Sequence, residues 1–166
     1  MPPAAGFFLL CQKWIDNQEY SDYSMAMKIN TKLRYGLRML LALAEQPDKV
    51  RSTAELGETM MVSPKYLRKL AGSLEKADLI DSVQGIYGGY RLKMSPDRIS
   101  IQMLFAAFDE KIRLSHCVNG DSCPLFDTCY ARPLWDYLVD LIEYRFSSIT
   151  LTDILRRTFD RPLPER

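Results

Sequence analysis

The chain has 166 residues, of which 47% are apolar, so it is long enough and apolar enough to bury the core of about one domain. Its four cysteines are too few for a disulfide scaffold, and no apolar run is long enough to span a bilayer. The net charge of +1 is ordinary, and we expect a cytoplasmic protein with reduced thiols and no membrane partner.

The small net charge conceals an asymmetry along the chain. Residues 28–98 carry thirteen positive and eight negative side chains, whereas residues 99–166 carry eight and ten. We expect residues 27–98 to form a basic domain that faces nucleic acid, followed by a second unit over residues 99–166. A solvated charged face would give the same balance. Residues 1–26 show no convincing period and are interpreted as an extension or an artefact of start-site choice.

Three helices are predicted at the start of the basic domain. Apolar residues at helical spacing predict a first helix over about 30–45. Ser52 begins a capping-box pattern that opens a short helix over about 52–59. Ser63, followed by a proline, opens a third helix over about 63–76. Two short helices joined by a tight turn, the second basic at its N-terminal end, are typical of a helix-turn-helix.

A glycine-rich hairpin is predicted directly after the third helix. Residues 79–83 and 90–94 resemble short strands, and residues 84–89 form a turn rich in glycine. A phosphate-binding loop would need a Lys-Ser/Thr ending and a following helix, which are absent here. The hairpin is therefore interpreted as a wing. The expected fold class is mostly α with a small β-wing: a winged helix-turn-helix domain plus a long dimerisation helix.

The candidate DNA contacts are distributed over the first helix, the third helix and the wing. Basic side chains of the third helix are expected to face the major groove. Those of the first helix are expected to contact phosphates, and the wing tip is expected to lie near the minor groove. Tyr66 fits either a phosphate contact or a core aromatic. The candidates are Lys32, Arg34, Arg38, Ser63, Lys65, Tyr66, Arg68, Lys69, Gln84 and Tyr87.

Further helices are predicted over about 100–109, over 132–146 and from residue 150 onwards. The helix over 132–146 has apolar residues on more than one side, so a partner chain is expected to cover the second side. Packing against the first helix is the alternative. The dimerisation candidates are Leu134, Trp135, Leu138, Leu141 and Ile142.

Three evenly spaced cysteines, Cys117, Cys123 and Cys129, occupy the polar stretch between these helices. Thiolates in a loop can converge on one point, which suits an iron–sulfur cluster or another soft metal. Zinc is the rival metal, although its usual Cys-x2-Cys spacing is absent, and free redox-active thiols are a third interpretation. His116 is a candidate fourth ligand, although neighbouring residues of an extended chain point to opposite sides.

Taken together, these motifs resemble the Rrf2 family of bacterial transcription regulators, close to the branch of the iron–sulfur regulator IscR and the nitric-oxide sensor NsrR. The resemblance spans about residues 27–159. The motifs that carry it are the opening over residues 28–35, Ser63-x-x-Tyr66-Leu67, Gly85-x-x-Gly88-Gly89-Tyr90, the cysteine loop and Ile149-Thr150-Leu151.

The resemblance implies a homodimeric winged-helix repressor or activator that binds a palindromic promoter site. It also implies a [4Fe–4S] or [2Fe–2S] cluster held by the three cysteines, with DNA affinity set by the state of the cluster. The sequence departs from the pattern in several places. Residues 28–44 contain no Asp or Glu, although a carboxylate from this helix completes the cluster in some NsrR-like members, and Arg68 stands where IscR has an acidic residue. Arg132 stands where IscR-like members have a cluster-binding histidine, and Gln84 stands where the wing often carries an arginine.

Three classes of function therefore compete. The leading hypothesis is a regulator that senses iron–sulfur status, redox state or nitric oxide through the cluster. The second is a cluster-free Rrf2-type regulator that acts by thiol oxidation or through a protein partner. The third, a small redox or zinc enzyme, is disfavoured, because the chain has one histidine, no paired-carboxylate or nucleophile constellation and no nucleotide-binding fingerprint.

Overall fold

A computed structural model describes residues 29–112, 114 and 127–159. The prediction for residues 1–26 lies outside these residues. The elements in chain order are α1 (Thr31–Ala44), α2 (Thr53–Met60), α3 (Pro64–Lys76), β1 (Ile80–Val83), β2 (Gly89–Leu92), α4 (Ile101–Ala107), α5 (Arg132–Ser148) and α6 (Leu151–Arg156). The predicted fold class, mostly helical with a small β-wing, is confirmed.

Five of the helices begin where a polar side chain caps them. Asn30, Ser52, Ser63, Ser100 and Thr150 each accept a hydrogen bond from the backbone N–H three residues later, at 2.8, 3.1, 3.2, 3.3 and 3.2 Å. Each such cap satisfies a backbone donor that the helix itself leaves unpaired and contributes about 1 kcal/mol. Short-range signals in the sequence therefore fix these helix starts.

The main core lies between α1, α2, α3 and the wing. On α3, helical spacing in the sequence predicts that Leu67, Leu70, Ala71 and Leu74 are buried, and all four are. On α1, helical spacing predicts a buried stripe of Leu33, Leu37, Leu40, Leu41 and Ala44. The observed buried face is slightly rotated: Gly36, Met39 and Leu43 are also buried, whereas Leu37 and Leu41 are half-buried against the core. The shift arises because α1 contacts helices on more than one side. The core continues past residue 98, since Ile99, Leu104 and Leu151 also belong to it.

Helix α4 packs closely on α1 at a glycine. A Cβ at Gly36 would lie 2.4 Å from Cε2 of Phe108, just beyond the C-terminal end of α4. The ring therefore occupies the space that any side chain at position 36 would need. The start of α4 is tied to the start of α6 by two backbone hydrogen bonds of 3.0 Å, from Ile101 to Ile149 and from Leu151 to Ile99.

The wing is a two-stranded antiparallel sheet attached to the helix-turn-helix by Arg51. The pairing runs from Ile80 opposite Leu92 to Val83 opposite Gly89. Arg51 exchanges two backbone hydrogen bonds of 2.9 Å with Tyr90 of β2. A Cβ at Gly89 would lie 2.1 Å from the Arg51 carbonyl oxygen, so only glycine permits this close approach.

The Arg51 side chain is only 10% exposed, although it is charged. Its guanidinium donates to the carbonyl oxygen of Ala42 at 2.9 Å, to Oγ1 of Thr59 at 3.1 Å and to Oε1 of Glu55 at 3.0 Å. These bonds join the end of α1 to both turns of α2. A buried cation is tolerated when its donors are satisfied in this way.

Helix α5 covers a smaller, separate cluster. Val139 and Ile112 are buried together, and Trp135, Ile142 and Phe146 pack around them. Within the described residues, no helix is both long enough and apolar enough to cross a membrane.

Candidate nucleic-acid interface and cysteine loop

Helix α3 presents a basic surface opposite its buried side. Lys65, Arg68 and Lys69 are exposed, while Leu67 and Leu70 on the other side are buried. The Ser63 hydroxyl accepts the capping hydrogen bond from the Tyr66 N–H, which leaves its own proton free to donate. Exposed cations at the N-terminal end of the second helix of a helix-turn-helix are placed to contact a DNA groove.

The basic surface continues from α3 onto α1 through a pair of tyrosines. The rings of Tyr35 and Tyr66 meet edge to face with centroids 5.8 Å apart. The guanidinium carbons of Arg34 and Arg38 lie 5.6 and 5.2 Å from the centroid of Tyr35. Stacking on one ring restrains both arginines at the surface. Tyr66, for which the sequence left two roles open, is half-buried and packs against the core.

Sequence reasoning did not assign a role to Tyr35. Its position in the sequence nevertheless indicates one. Tyr35 lies between Arg34 and Arg38, which are one helical turn apart, and an aromatic side chain there can contact both guanidinium groups.

The exposed cations of this surface have no carboxylate partner among the described residues. Within the described part of the chain, none of them forms an ion pair within 4.0 Å. Unpaired cations on one surface are available to phosphates. The set comprises Lys32, Arg34, Arg38, Lys65, Arg68 and Lys69.

The wing tip projects away from the core. Tyr87 is 93% exposed and Ile86, which the sequence analysis did not select, is 98% exposed. Gln84 is also exposed, and its Nε2 donates to Oγ of Ser82 at 3.4 Å. An apolar and an aromatic residue held out at the end of a hairpin have no packing role within the described chain.

The base of the wing lies against the helix-turn-helix through the Tyr90 side chain. Burial raises the pKa of the Tyr90 phenol, and Glu75 adds to this effect, while Arg68 and a hydrogen bond with Thr53 oppose it. The phenol therefore remains neutral well into the alkaline range.

The structure describes one of the four predicted cluster residues. Cys129 is a half-buried free thiol just before α5, and its carbonyl oxygen accepts a hydrogen bond of 3.3 Å from the Arg132 N–H. Cys117, Cys123 and His116 lie outside the described residues. Among the residues that are described, no three His, Cys, Asp or Glu side chains are grouped to hold a metal ion.

The segment that precedes the cysteine loop packs in one cluster with α5, the helix that follows the loop. Ile112 and Leu114 precede the loop and pack around Val139, close to Trp135.

The Arg132 guanidinium pairs with the Asp136 carboxylate at 3.5 Å along the helix. A guanidinium has no lone pair to offer a metal, so Arg132 does not replace a histidine ligand.

The predicted dimerisation residues fall on two sides of α5. Trp135 and Ile142 pack within the chain against Val139. Leu138 and Leu141 are half-buried outside this cluster, and Leu134 is 52% exposed.

A helix-turn-helix followed by a hairpin, with exposed cations on its second helix, defines the winged-helix class of DNA-binding proteins. Comparison with known proteins gives the family. The Rrf2 family model, described as an iron-dependent transcriptional regulator, matches residues 29–157. The chain belongs to the Rrf2 family of transcriptional regulators.

Several relatives agree with this assignment. The transcriptional regulator IscR of Aliivibrio salmonicida is 34% identical over 131 residues, which cover 78% of this chain and 77% of the relative. The structure of CymR, the global cysteine regulator of B. subtilis, is 31% identical with a TM-score of 0.66 over 80% of this chain and 99% of that one. The IscR structure from T. potens is 29% identical with a TM-score of 0.63 over 80% and 89%. These proteins are named as regulators and not as enzymes, in agreement with the sequence analysis.

Proposed function

We propose that the chain is a homodimeric DNA-binding regulator whose DNA affinity depends on an iron–sulfur cluster held by Cys117, Cys123 and Cys129. The observation that carries the proposal is the even spacing of three thiols in one stretch of the sequence, between a segment that packs on α5 and α5 itself. The identity to IscR proteins and the family description as iron-dependent support it.

The donor set fits such a cluster. Three thiolates are the ligands that iron–sulfur clusters prefer, and the described one, Cys129, is a free thiol. Cys129 lies just before the N-terminal end of α5 and is therefore held close to the cluster that this helix forms with Ile112. When bound, the cluster would supply iron that responds to oxidants or to small molecules.

The remaining residues connect the loop to the DNA-binding surface through packed side chains. Ile112 packs on Val139 of α5, and the rings of Phe146 in α5 and Phe105 in α4 lie 5.0 Å apart. Phe108 at the end of α4 then contacts α1 at Gly36. A movement of the loop would therefore shift α5 and α4 against the basic surface of α1 and α3.

On DNA, α3 would lie in the major groove with Lys65 and Arg68 towards bases or phosphates, and the wing tip would lie along the minor groove. In the proposed dimer, the uncovered side of α5 would pair with its copy. Two recognition helices related by a twofold axis would then read a palindromic site with half-sites one helical turn apart.

The test of the cluster is the visible absorption spectrum of anaerobically purified protein, with iron and acid-labile sulfide counted per chain. We expect a broad absorption in the blue with iron and sulfide together. Cys129→Ser should remove both, and Cys11→Ser, which alters the cysteine outside the motif, should retain both. A colourless protein after anaerobic reconstitution would refute cluster binding and leave the DNA-binding proposal intact.

The test of the DNA surface is fluorescence anisotropy with promoter DNA at several salt concentrations. Lys65→Ala or Arg68→Ala should weaken binding, and a lost phosphate contact should reduce the salt slope by about one unit. Lys76→Ala, at the opposite end of α3, serves as the matched control. Unchanged binding in both Lys65→Ala and Arg68→Ala would contradict the assignment of α3.

A cluster-free regulator that acts by thiol oxidation is the second candidate. It is favoured by the half-buried free thiol of Cys129, which an oxidant could reach. Peroxide treatment of the metal-free protein, followed by mass spectrometry and DNA binding, distinguishes the two mechanisms.

A further inference from the structure

A cavity of about 220 Å³ lies between α1, α3 and the end of α4. Helix α3 lines it with the residues of one face, including Lys69, Leu70 and Ser73. Lys32 lines it from α1, and Asp109 from the turn after α4. Phe108, through which the end of α4 contacts α1, also lines the cavity.

The mouth of the cavity is cationic. Its exposed charged residues are Lys32, Lys69 and Asp109, which leaves one positive charge in excess. Neither lysine forms an ion pair within 4.0 Å in the described part of the chain, although Asp109 lines the same cavity. Two lysines that face one cavity repel each other, and an anion between them would relieve the repulsion.

The interior of the cavity is apolar. Leu70 is buried, and Ala107 and Phe108 are half-buried. An apolar cavity of about 150 Å³ holds one benzene molecule, so about 220 Å³ accommodates a ring or branched chain together with one carboxylate. Ser73 and Tyr66 also line the cavity, and each carries a hydroxyl, a group that can donate a hydrogen bond to an anion. A DNA phosphate has no apolar group that could pack against this interior.

We propose that this cavity binds a small organic carboxylate with a short apolar body, and that its binding weakens the binding of DNA. The second part rests on the proposed function, in which α1 and α3 bind DNA with the basic surface that includes Lys32 and Lys69. A lysine that pairs with the carboxylate is withdrawn from DNA, so the two ligands compete. By linkage, DNA lowers the affinity for the carboxylate by the same factor.

The test uses the full chain and two probes, benzoate and isovalerate, with benzamide as the neutral counterpart of benzoate. Binding is followed without DNA by the amide NMR shifts of residues around the cavity, at constant ionic strength. We expect benzoate at up to about 10 mM to shift the amides of Ser73 and Ala107, and benzamide to have little effect. No response to either carboxylate, or an equal response to benzamide, would overturn the proposal.

Three variants examine the chemistry of the site. Ala107→Leu fills the cavity without touching the proposed DNA contacts, so it should abolish the benzoate shifts and preserve DNA affinity. Asp109→Asn removes the negative charge and should tighten benzoate binding about fivefold, while Lys69→Gln should weaken it about fivefold. If Ala107→Leu does not fold, the opposite effects of Asp109→Asn and Lys69→Gln on benzoate binding still show whether benzoate occupies this cavity. Benzoate binding that is insensitive to the variants would refute the cavity as the site.

DNA competition is measured last, by anisotropy with and without 10 mM benzoate, with sodium chloride as the ionic control. We expect about a fivefold loss of DNA affinity in the wild type and none in Ala107→Leu. Failure of the protein to bind DNA in the absence of benzoate would refute the proposed function, whereas the NMR result would still decide whether the cavity binds carboxylates. Full DNA affinity with the cavity saturated would overturn the regulatory part of the proposal.

Discussion

Substituting Gly89 by alanine should detach the wing from the helix-turn-helix. The added Cβ would lie 2.1 Å from the carbonyl oxygen and 2.6 Å from the carbonyl carbon of Arg51, and 2.8 Å from the Cα of Ser52. All three are backbone atoms, so no side-chain rotation relieves the clash. The strand must move away, and the two hydrogen bonds of 2.9 Å between Arg51 and Tyr90 are lost or lengthened.

The cost follows from these contacts. Two backbone hydrogen bonds contribute about 1 kcal/mol each, and overpacking costs about 1–3 kcal/mol where the surroundings cannot fully relax. We expect the free energy of unfolding to fall by about 3–5 kcal/mol, which corresponds to a decrease in Tm of roughly 12–20 °C for a domain of this size.

Gly72→Ala is the matched control, because it makes the same chemical change in the interior of α3. A Cβ at Gly72 would have nothing within 4 Å. Alanine is preferred over glycine in a helix by about 0.5–1 kcal/mol, so this variant should be more stable than the wild type. The same substitution is thus expected to have opposite signs at the two positions.

The assay is urea denaturation followed by far-ultraviolet circular dichroism, at one protein concentration so that any association is held constant. Hydrogen exchange of the Arg51 and Tyr90 amides reports whether the wing opens locally or the whole domain unfolds. If Gly89→Ala were as stable as the wild type, the close approach of β2 to Arg51 would be refuted.

Two further predictions concern the dimer and the wing. Leu134→Glu places a charge on the exposed side of α5, where Leu134 and Tyr137 are 52% and 51% exposed. Because burying this charge in an interface is costly, the variant should be a monomer in sedimentation equilibrium, with little change in helix content. An unchanged mass would exclude this side of α5 as the dimer interface. Because burial raises the pKa of Tyr90, the unfolded chain loses the phenol proton first as the pH rises above about 10, and this contribution to stability is progressively lost with rising pH. The free energy of unfolding should therefore fall less steeply above about pH 10 in Tyr90→Phe than in the wild type, and parallel curves would contradict a raised pKa.

The sequence determined the local elements, because their signals act within a few residues. Side-chain caps such as Ser52 and Ser63 lie three residues from the backbone groups they satisfy, so they are visible without the fold. Helical spacing likewise identified the buried face of α3. The even spacing of the cysteines and the family motifs also depend on nearby residues, and they led to the Rrf2 family before any contact between distant elements was known.

The tertiary structure alone decided which distant residues meet. Arg51 was an ordinary cation in the sequence, and its burial depends on the Ala42 carbonyl nine residues earlier and on β2. The side of α5 that Ile112 covers could not be chosen from the sequence, because several of its sides are apolar. The cavity beside Lys69 exists only where α1, α3 and α4 meet. Packing of this kind depends on the relative positions of whole elements, which no short-range pattern records.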